Sequence, residues 1–179
     1  MVFSDYRDMV DSYLKADSSE VFGNFSSEHA SYIITRFLET AQNSVDILSG
    51  NFHDAFYDNI SVRRLLQQTA ARLHSQGGRI RLITIDEGTD VDAIRRIFND
   101  INGLYPNTME YIPAIYQGDE PLSHFLVTDA KRYRLEAPHD RFVADATPSV
   151  HAEVCCNNRE RASELLNLFD NIWQRLSGR

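Results

Sequence analysis

Cysteine is scarce. The 179-residue chain has two, Cys155 and Cys156, and they are adjacent. Neighbouring cysteines do not reach the Cα separation of a relaxed disulfide, so no disulfide framework is expected and a reducing, cytoplasmic setting follows. Without a second thiol pair at metal-ligand spacing, no structural zinc site is expected either. Long apolar runs are also missing: no window approaches the roughly 18 residues of a membrane span. The start, Met1–Asp8, has no basic segment leading into an apolar run, so neither a secretory signal nor a membrane partner is expected. Positive charge is the minority sign, with 18 Lys+Arg against 26 Asp+Glu and a formal net charge of −8. That works against a surface that grips polyphosphate everywhere, and confines any nucleic-acid contact to a local basic patch. Gly-x-Gly-x-x-Gly, Walker, His-Glu-x-x-His and Gly-x-Ser-x-Gly motifs are absent, so no cofactor and no metal is expected.

What is present reads as one α/β domain. Phe3, Tyr6, Val10, Tyr13 and Leu14 form a stripe on a leading helix, which turn-rich Asp17-Ser18-Ser19 and Gly23-Asn24 follow. This helix and its connection take residues 1–25, and residues 26–179 are read as a single domain. Ser26 or Ser27 is positioned to cap a helix whose Ala30, Ile33, Ile34, Phe37, Leu38 and Ala41 keep helical spacing throughout. Ser44–Ser49 then reads as a strand, Leu65, Leu66, Thr69, Ala70 and Leu73 as a helix stopped by Gly77-Gly78, and Arg79–Ile85 as a second strand. Val91, Ile94, Ile97, Phe98 and Ile101 stripe the helix after it. Strand–helix alternation predicts a parallel first half of the sheet.

After Pro106 the rhythm changes. Met109–Tyr116, His124–Thr128, Tyr133–Ala137 and Val150–Cys156 are strand candidates with short connections, so an antiparallel second half is predicted, giving a mixed sheet flanked by helices. Taking Ala130-Lys131 as a two-residue hairpin loop pairs His124 with Ala137, Leu126 with Leu135 and Thr128 with Tyr133. It places His124 on the more apolar face and turns Arg132, Arg134 and Glu136 the other way. A last helix carries Ala162, Leu165, Leu166, Phe169, Trp173 and Leu176, with Asn157 or Asn158 as cap.

The strands SVDILSGNF and RIRLITID, the hairpin SHFLVTDAKRYRLE and the terminal FDNIW helix, in this order, resemble one half of the phospholipase D-like superfamily over about residues 26–176. The resemblance implies a pattern His-x-Lys-x-x-x-x-Asp: the histidine attacks phosphorus, the lysine holds phosphate oxygens and the aspartate sits near the hairpin turn. It also implies that two such motifs meet, so that a single half is expected to form a homodimer or join a larger assembly. Two alignments are open. Anchoring on the aspartate puts Asp129 at the family's Asp, His124 at its Lys and Leu122 at its nucleophile. Anchoring on the histidine keeps His124 as nucleophile but leaves Leu126 at the Lys position and Lys131 at the Asp position. The first is preferred, because a hairpin turn is harder to shift than one side chain. Leucine cannot form a phosphoenzyme. The resemblance therefore implies a catalytically degenerate binding or assembly subunit, with a metal-independent phosphodiesterase or nuclease using His124 as the rival.

Each candidate has a plain structural alternative. His124 is a pocket residue or a hydrogen-bonded strand histidine, and Asp129 a motif residue or a turn aspartate. Ser49, Gly50, Asn51, Asp86 and Glu87 follow the carboxyl ends of the two parallel strands, where open α/β sheets place ligands, and Ser123 is taken as a further pocket candidate. Gly and Asn also simply shape such turns. Arg79, Arg81, Arg132 and Arg134 would grip nucleic acid or an acidic partner if the hairpin adjoined the second strand; otherwise they are surface charges. His151-Ala152-Glu153 echoes a deaminase His-x-Glu, but Cys155-Cys156 lacks the spacing that signature needs.

Overall fold

The computed structural model describes residues 2–50, 60–86, 88–118, 122–136 and 151–178. Along the chain these form α1 (Phe3–Lys15), β1 (Val21–Asn24), α2 (Ser27–Thr40), β2 (Ser44–Ser49), α3 (Ile60–His74) and β3 (Arg79–Thr84). They continue with α4 (Val91–Leu104), β4 (Met109–Pro113), β5 (Phe125–Thr128), β6 (Arg132–Glu136), β7 (Ala152–Cys155) and α5 (Arg159–Ser177). The described strands make one seven-stranded mixed sheet in the order β1-β7-β6-β5-β2-β3-β4. No described helix is long and apolar enough to cross a membrane.

Local chemistry explains most helix ends. The Ser26 hydroxyl accepts from His29 N–H and starts α2, Asp90 does the same for α4 through Ala93, and Asn158 for α5 through Arg161. Gly178, in the left-handed region at φ 68°, closes α5. The α2 stripe from Ala30 to Ala41 is buried as its spacing requires. It shares a core with Tyr6 and Val10 of α1, Leu66, Ala70 and Leu73 of α3, Ile94 and Phe98 of α4, and Val45, Ile47, Ile80, Leu82, Leu126 and Val154 of the sheet. The opposite face carries Leu48, Ile83, Phe125, Val127, Tyr133 and Cys155, against Ala162, Leu165 and Phe169 of α5.

Three expectations are corrected. Gly23-Asn24 is not a turn: residues 21–24 form the edge strand β1, antiparallel to β7. Its ladder comes from residues 152–155, which no local reading of the segment can supply. Antiparallel pairing dominates after Pro106, in β5, β6 and β7, but the first strand there, β4, pairs parallel to β3 because the α4 crossover returns the chain. The hairpin register also differs by one residue. Thr128 pairs with Arg132, Leu126 with Arg134 and Phe125 with Leu135, so the loop has three residues, Asp129, Ala130 and Lys131. Asp129 and Ala130 both have positive φ, 55° and 53°. A one-residue change flips the partner strand, so Arg132, Arg134 and Glu136 share the face of Leu126 rather than opposing it.

On the α5 side, Arg81 of β3 sits beside Asp46 of β2. Its Nε donates to Asp46 Oδ1 at 2.6 Å and Nη1 to Asp170 Oδ1 at 2.7 Å. The guanidinium lies over the Phe169 and Trp173 rings, 4.7 and 5.5 Å from their centroids. Burial pushes the Asp46 carboxyl up, and Arg81 works against it. This buried pair fastens α5 to the sheet.

Candidate functional site

The carboxyl ends of β2 and β3 lie side by side, with Ser49 opposite Thr84. Just beyond them Gly50 has no space for a side chain: a Cβ there would stand 2.5 Å from Asp86 Oδ2 and 2.9 Å from His124 Cε1. A side chain at position 50 would displace the Asp86 and His124 side chains, which lie against that backbone. Ser123 and His124 lead into β5 half-buried. Thus Ser49, Asp86 and His124 do gather at one end of the sheet. Asn51 and Glu87 lie outside the described residues.

His124 is engaged from the neighbouring strand. Glu136 N–H donates to the His124 carbonyl at 2.9 Å, and His124 Nδ1 lies 3.3 Å from Glu136 Oε2. The second carboxylate oxygen of Glu136 takes Arg134 Nη1, while Arg134 Nε donates to Asn24 Oδ1 at 2.8 Å. Arg134 is only 3% exposed. Burial works to raise Glu136, yet the His124 hydrogen bond and Arg134 prevail and hold its carboxyl down at about 2. Next to this chain of contacts, the Tyr6 ring stacks on His29 with centroids 3.7 Å apart. Burial pushes the Tyr6 phenol well above its ordinary range and lowers His29.

Asp129 stands at the far end of the same strand. It lies five positions along the strand from His124, roughly 16 Å of extended chain, so the two expected catalytic residues do not meet. Its carboxylate accepts from the backbone N–H groups of Gln42, Asn43 and Ser44 at 2.9, 2.7 and 3.2 Å. Arg132 Nη1 adds a contact at 3.1 Å. Asp129 is therefore a clasp between the hairpin turn and the start of β2. Leu122 packs against the α5-side core.

The four arginines do not form one patch. Arg79 is exposed and 3.7 Å from Glu110, Arg81 is buried on the α5 side, Arg132 is tied to Asp129, and Arg134 is buried on the opposite face from Arg81. Strands β6 and β3 are three positions apart, about 14 Å. Glu153, of the His-x-Glu pair, accepts from the buried Tyr133 hydroxyl. Among the described residues no cluster of three or more His, Cys, Asp or Glu is arranged to hold a metal. The sequence reading missed Glu136, Asn24, Tyr6 and His29. For Glu136 the signal was there: a three-residue hairpin loop places it directly across from His124.

Comparison with known proteins agrees with this architecture. Nuc from Salmonella typhimurium, described as a phospholipase D family member, superposes with a TM-score of 0.61 at 14% identity, covering 87% of this chain and 94% of that one. This is a phospholipase D-like fold. NucT from Helicobacter pylori matches at a TM-score of 0.56 and 12% identity, over 87% of this chain and 97% of that one. TrmBL2, an archaeal chromatin protein whose structure shows a mode of DNA binding, matches at 0.61 and 11% identity over 96% of this chain. The present chain spans 60% of the length of TrmBL2. No protein-family model and no curated protein matches the sequence.

Proposed function

We propose that this phospholipase D-like domain is catalytically degenerate and works by binding, as a homodimer or as a subunit of a larger assembly. The observation that carries this reading is the Asp129 clasp. A carboxylate locked to three backbone amides and an arginine at the hairpin turn is a firm anchor, and it favours the alignment that sets Leu122 at the nucleophile position and His124 at that of the lysine. Electrostatics point the same way. The Glu136 carboxylate lies 3.3 Å from the His124 ring, Asp86 lies against the same Gly50 backbone as His124, and Arg134 is already engaged by Glu136 and Asn24. A phosphodiester brought there meets negative charge.

One observation favours the enzymatic reading: Glu136 orients the His124 ring, as a nucleophile or general base requires. A single experiment separates the two. Wild type and His124→Ala are assayed in EDTA on bis-(p-nitrophenyl) phosphate and on single- and double-stranded DNA and RNA, with sedimentation recording the oligomeric state. The binding reading expects no turnover from either protein and an oligomer in solution. EDTA-resistant cleavage that disappears in His124→Ala overturns it in favour of a phosphodiesterase or nuclease. Nucleic acid is a further candidate partner, since TrmBL2 of this fold is a DNA-binding protein. Anisotropy with duplex DNA tests this: an affinity falling steeply with salt would mark backbone contacts, whereas no saturable signal leaves a protein or small molecule as the partner.

A further inference from the structure

The described sheet ends in β4 on one side and β1 on the other, and the two edges differ. In β4, Thr108 C=O and Ala114 N–H bond to β3, so Met109, Tyr111 and Pro113 turn their main chain outward. Asn102 of α4 accepts from Met109 N–H at 2.9 Å and donates to Met109 C=O at 2.8 Å. Pro113 has no N–H to offer. Of the three, Tyr111 alone can both donate and accept, so this edge is closed to a further strand.

β1 is built differently. Glu136 N–H bonds the His124 carbonyl, so β6 turns Tyr133 and Leu135 towards β7, and β7 turns Ala152 and Val154 towards β1. Their partners Asn24 and Phe22 face inward, and the main chain of Val21 and Gly23 faces away from the sheet. Among the described residues no group outside the sheet bonds it. Val21 stands across from Cys155, on the α5 side, and is 51% exposed. Phe25, 65% exposed, lays its ring over Gly23, where a Cβ would stand 2.4 Å from Phe25 Cζ. An open ladder rimmed by two exposed apolar side chains is a template for another strand.

The pattern of this edge selects its occupant. Val21, Gly23 and Phe25 are self-complementary about the glycine. Two β1 strands related by a twofold axis there pair antiparallel, Gly23 with the partner's Gly23 and Val21 with the partner's Phe25, and each pair exchanges main-chain hydrogen bonds. Both exposed side chains are then covered in an aromatic–β-branched pairing, and Glu20 meets the partner's Ser26 rather than a like charge. Resting on the homodimer form of the binding reading above, we propose that a second copy of this chain adds its β1 to the β1 edge and joins the two sheets into one. His124 precedes β5, three strands in from that edge, so the two histidines stand about seven strand spacings, roughly 34 Å, apart. Such a dimer does not unite two sites across its interface, unlike the pairing that the family resemblance implies. One short strand pair buries less than the roughly 1,200 Å² of a standard interface, so the dimer is reversible.

Sedimentation equilibrium of the full chain from micromolar to millimolar concentration should show monomer and dimer in exchange. Amide exchange followed by NMR locates the contact: Phe22 and Asn24 should be protected at every concentration, whereas Val21 and Gly23 should slow at least tenfold between dilute and concentrated protein. Val21→Lys, which charges the edge, and Val21→Pro, which removes an outward N–H, should each weaken the dimer at least tenfold. Ile115→Lys, at an exposed position beyond β4, should not. Protection of Phe22 and Asn24 in each variant shows that β1 still folds onto β7. A monomer throughout, a dimer indifferent to both Val21 variants, or Val21 and Gly23 amides already protected in the dilute monomer each overturns the proposal. A dimer indifferent to the variants leaves the binding reading intact, and a monomer leaves it only the larger assembly. EDTA-resistant phosphodiester turnover overturns the degenerate reading without moving the edge dimer.

Discussion

Replacing Asp129 with alanine tests whether the hairpin carboxylate is a structural clasp. The cost follows from its four contacts. Gln42 and Asn43 are exposed, so water can take over their amide hydrogen bonds, leaving a loss of about 0.5 kcal/mol each. Ser44 is partly buried, and its amide loses about 1 kcal/mol. Arg132 matters most: its side chain is 11% exposed and its Nε already lacks a partner. Without Asp129 a mostly enclosed guanidinium loses its counter-ion, at about 1–2 kcal/mol after discounting for residual solvent. The sum is about 3–4 kcal/mol, a large share of the 5–15 kcal/mol expected for a whole domain. Asp129→Asn keeps an acceptor and a side chain tolerant of the left-handed turn, and should lose about half as much. Urea denaturation at neutral pH measures both, with an unchanged m-value as the condition for comparison. If Asp129→Ala lies within 0.5 kcal/mol of wild type, the clasp is not structural and the aspartate-anchored alignment loses its support.

Glu136 gives a pH signature. Its folded pKa of about 2 lies below the ordinary 4.5, so its contribution, about 3 kcal/mol, is present above pH 4.5 and lost as pH falls towards 2. Denaturation at several acidic pH values should show this slope, and Glu136→Gln should flatten it. Arg81→Leu strands the buried Asp46 and should cost about 3–5 kcal/mol, whereas adding Asp46→Val should recover most of it; a double variant no better than the single would contradict this. Ala130→Gly relieves a positive φ and should raise stability by about 1 kcal/mol, read as a higher urea midpoint.

The legible parts of this fold are those in which a local period and a local cap coincide. Ala30 through Ala41 read as one buried helical stripe because Ser26 and the 3.6-residue spacing both lie within the segment. Ser44–Ser49 and Arg79–Thr84 were equally plain, being continuous apolar-rich strands bounded by turn residues. The errors lie where a partner distant in sequence decides. Val21–Asn24 becomes a strand only through Ala152–Cys155, and β4 is parallel only because of the strand it meets. The hairpin register depended on a left-handed Ala130, a conformation that alanine does not advertise. The left-handed Asp129 and Ala130 concealed the His124–Glu136 contact, and with it the run through Arg134 to Asn24 of β1, which only tertiary packing assembles.

The hairpin separates two carboxylates with different work. Asp129 at the turn binds backbone amides, and the need for an acceptor there comes from the ends of α2 and β2, whatever the domain does. Glu136 lies at the other end of the hairpin, where its carboxylate meets the side chains of His124 and Arg134 and, through Arg134, Asn24. The Asp129 clasp thus lies about 16 Å from His124, so a change at His124 need not loosen the turn. The likeness to nucleases in fold therefore places no demand on the chemistry at His124, and that chemistry has to be argued from Asp86, Glu136 and Arg134 themselves.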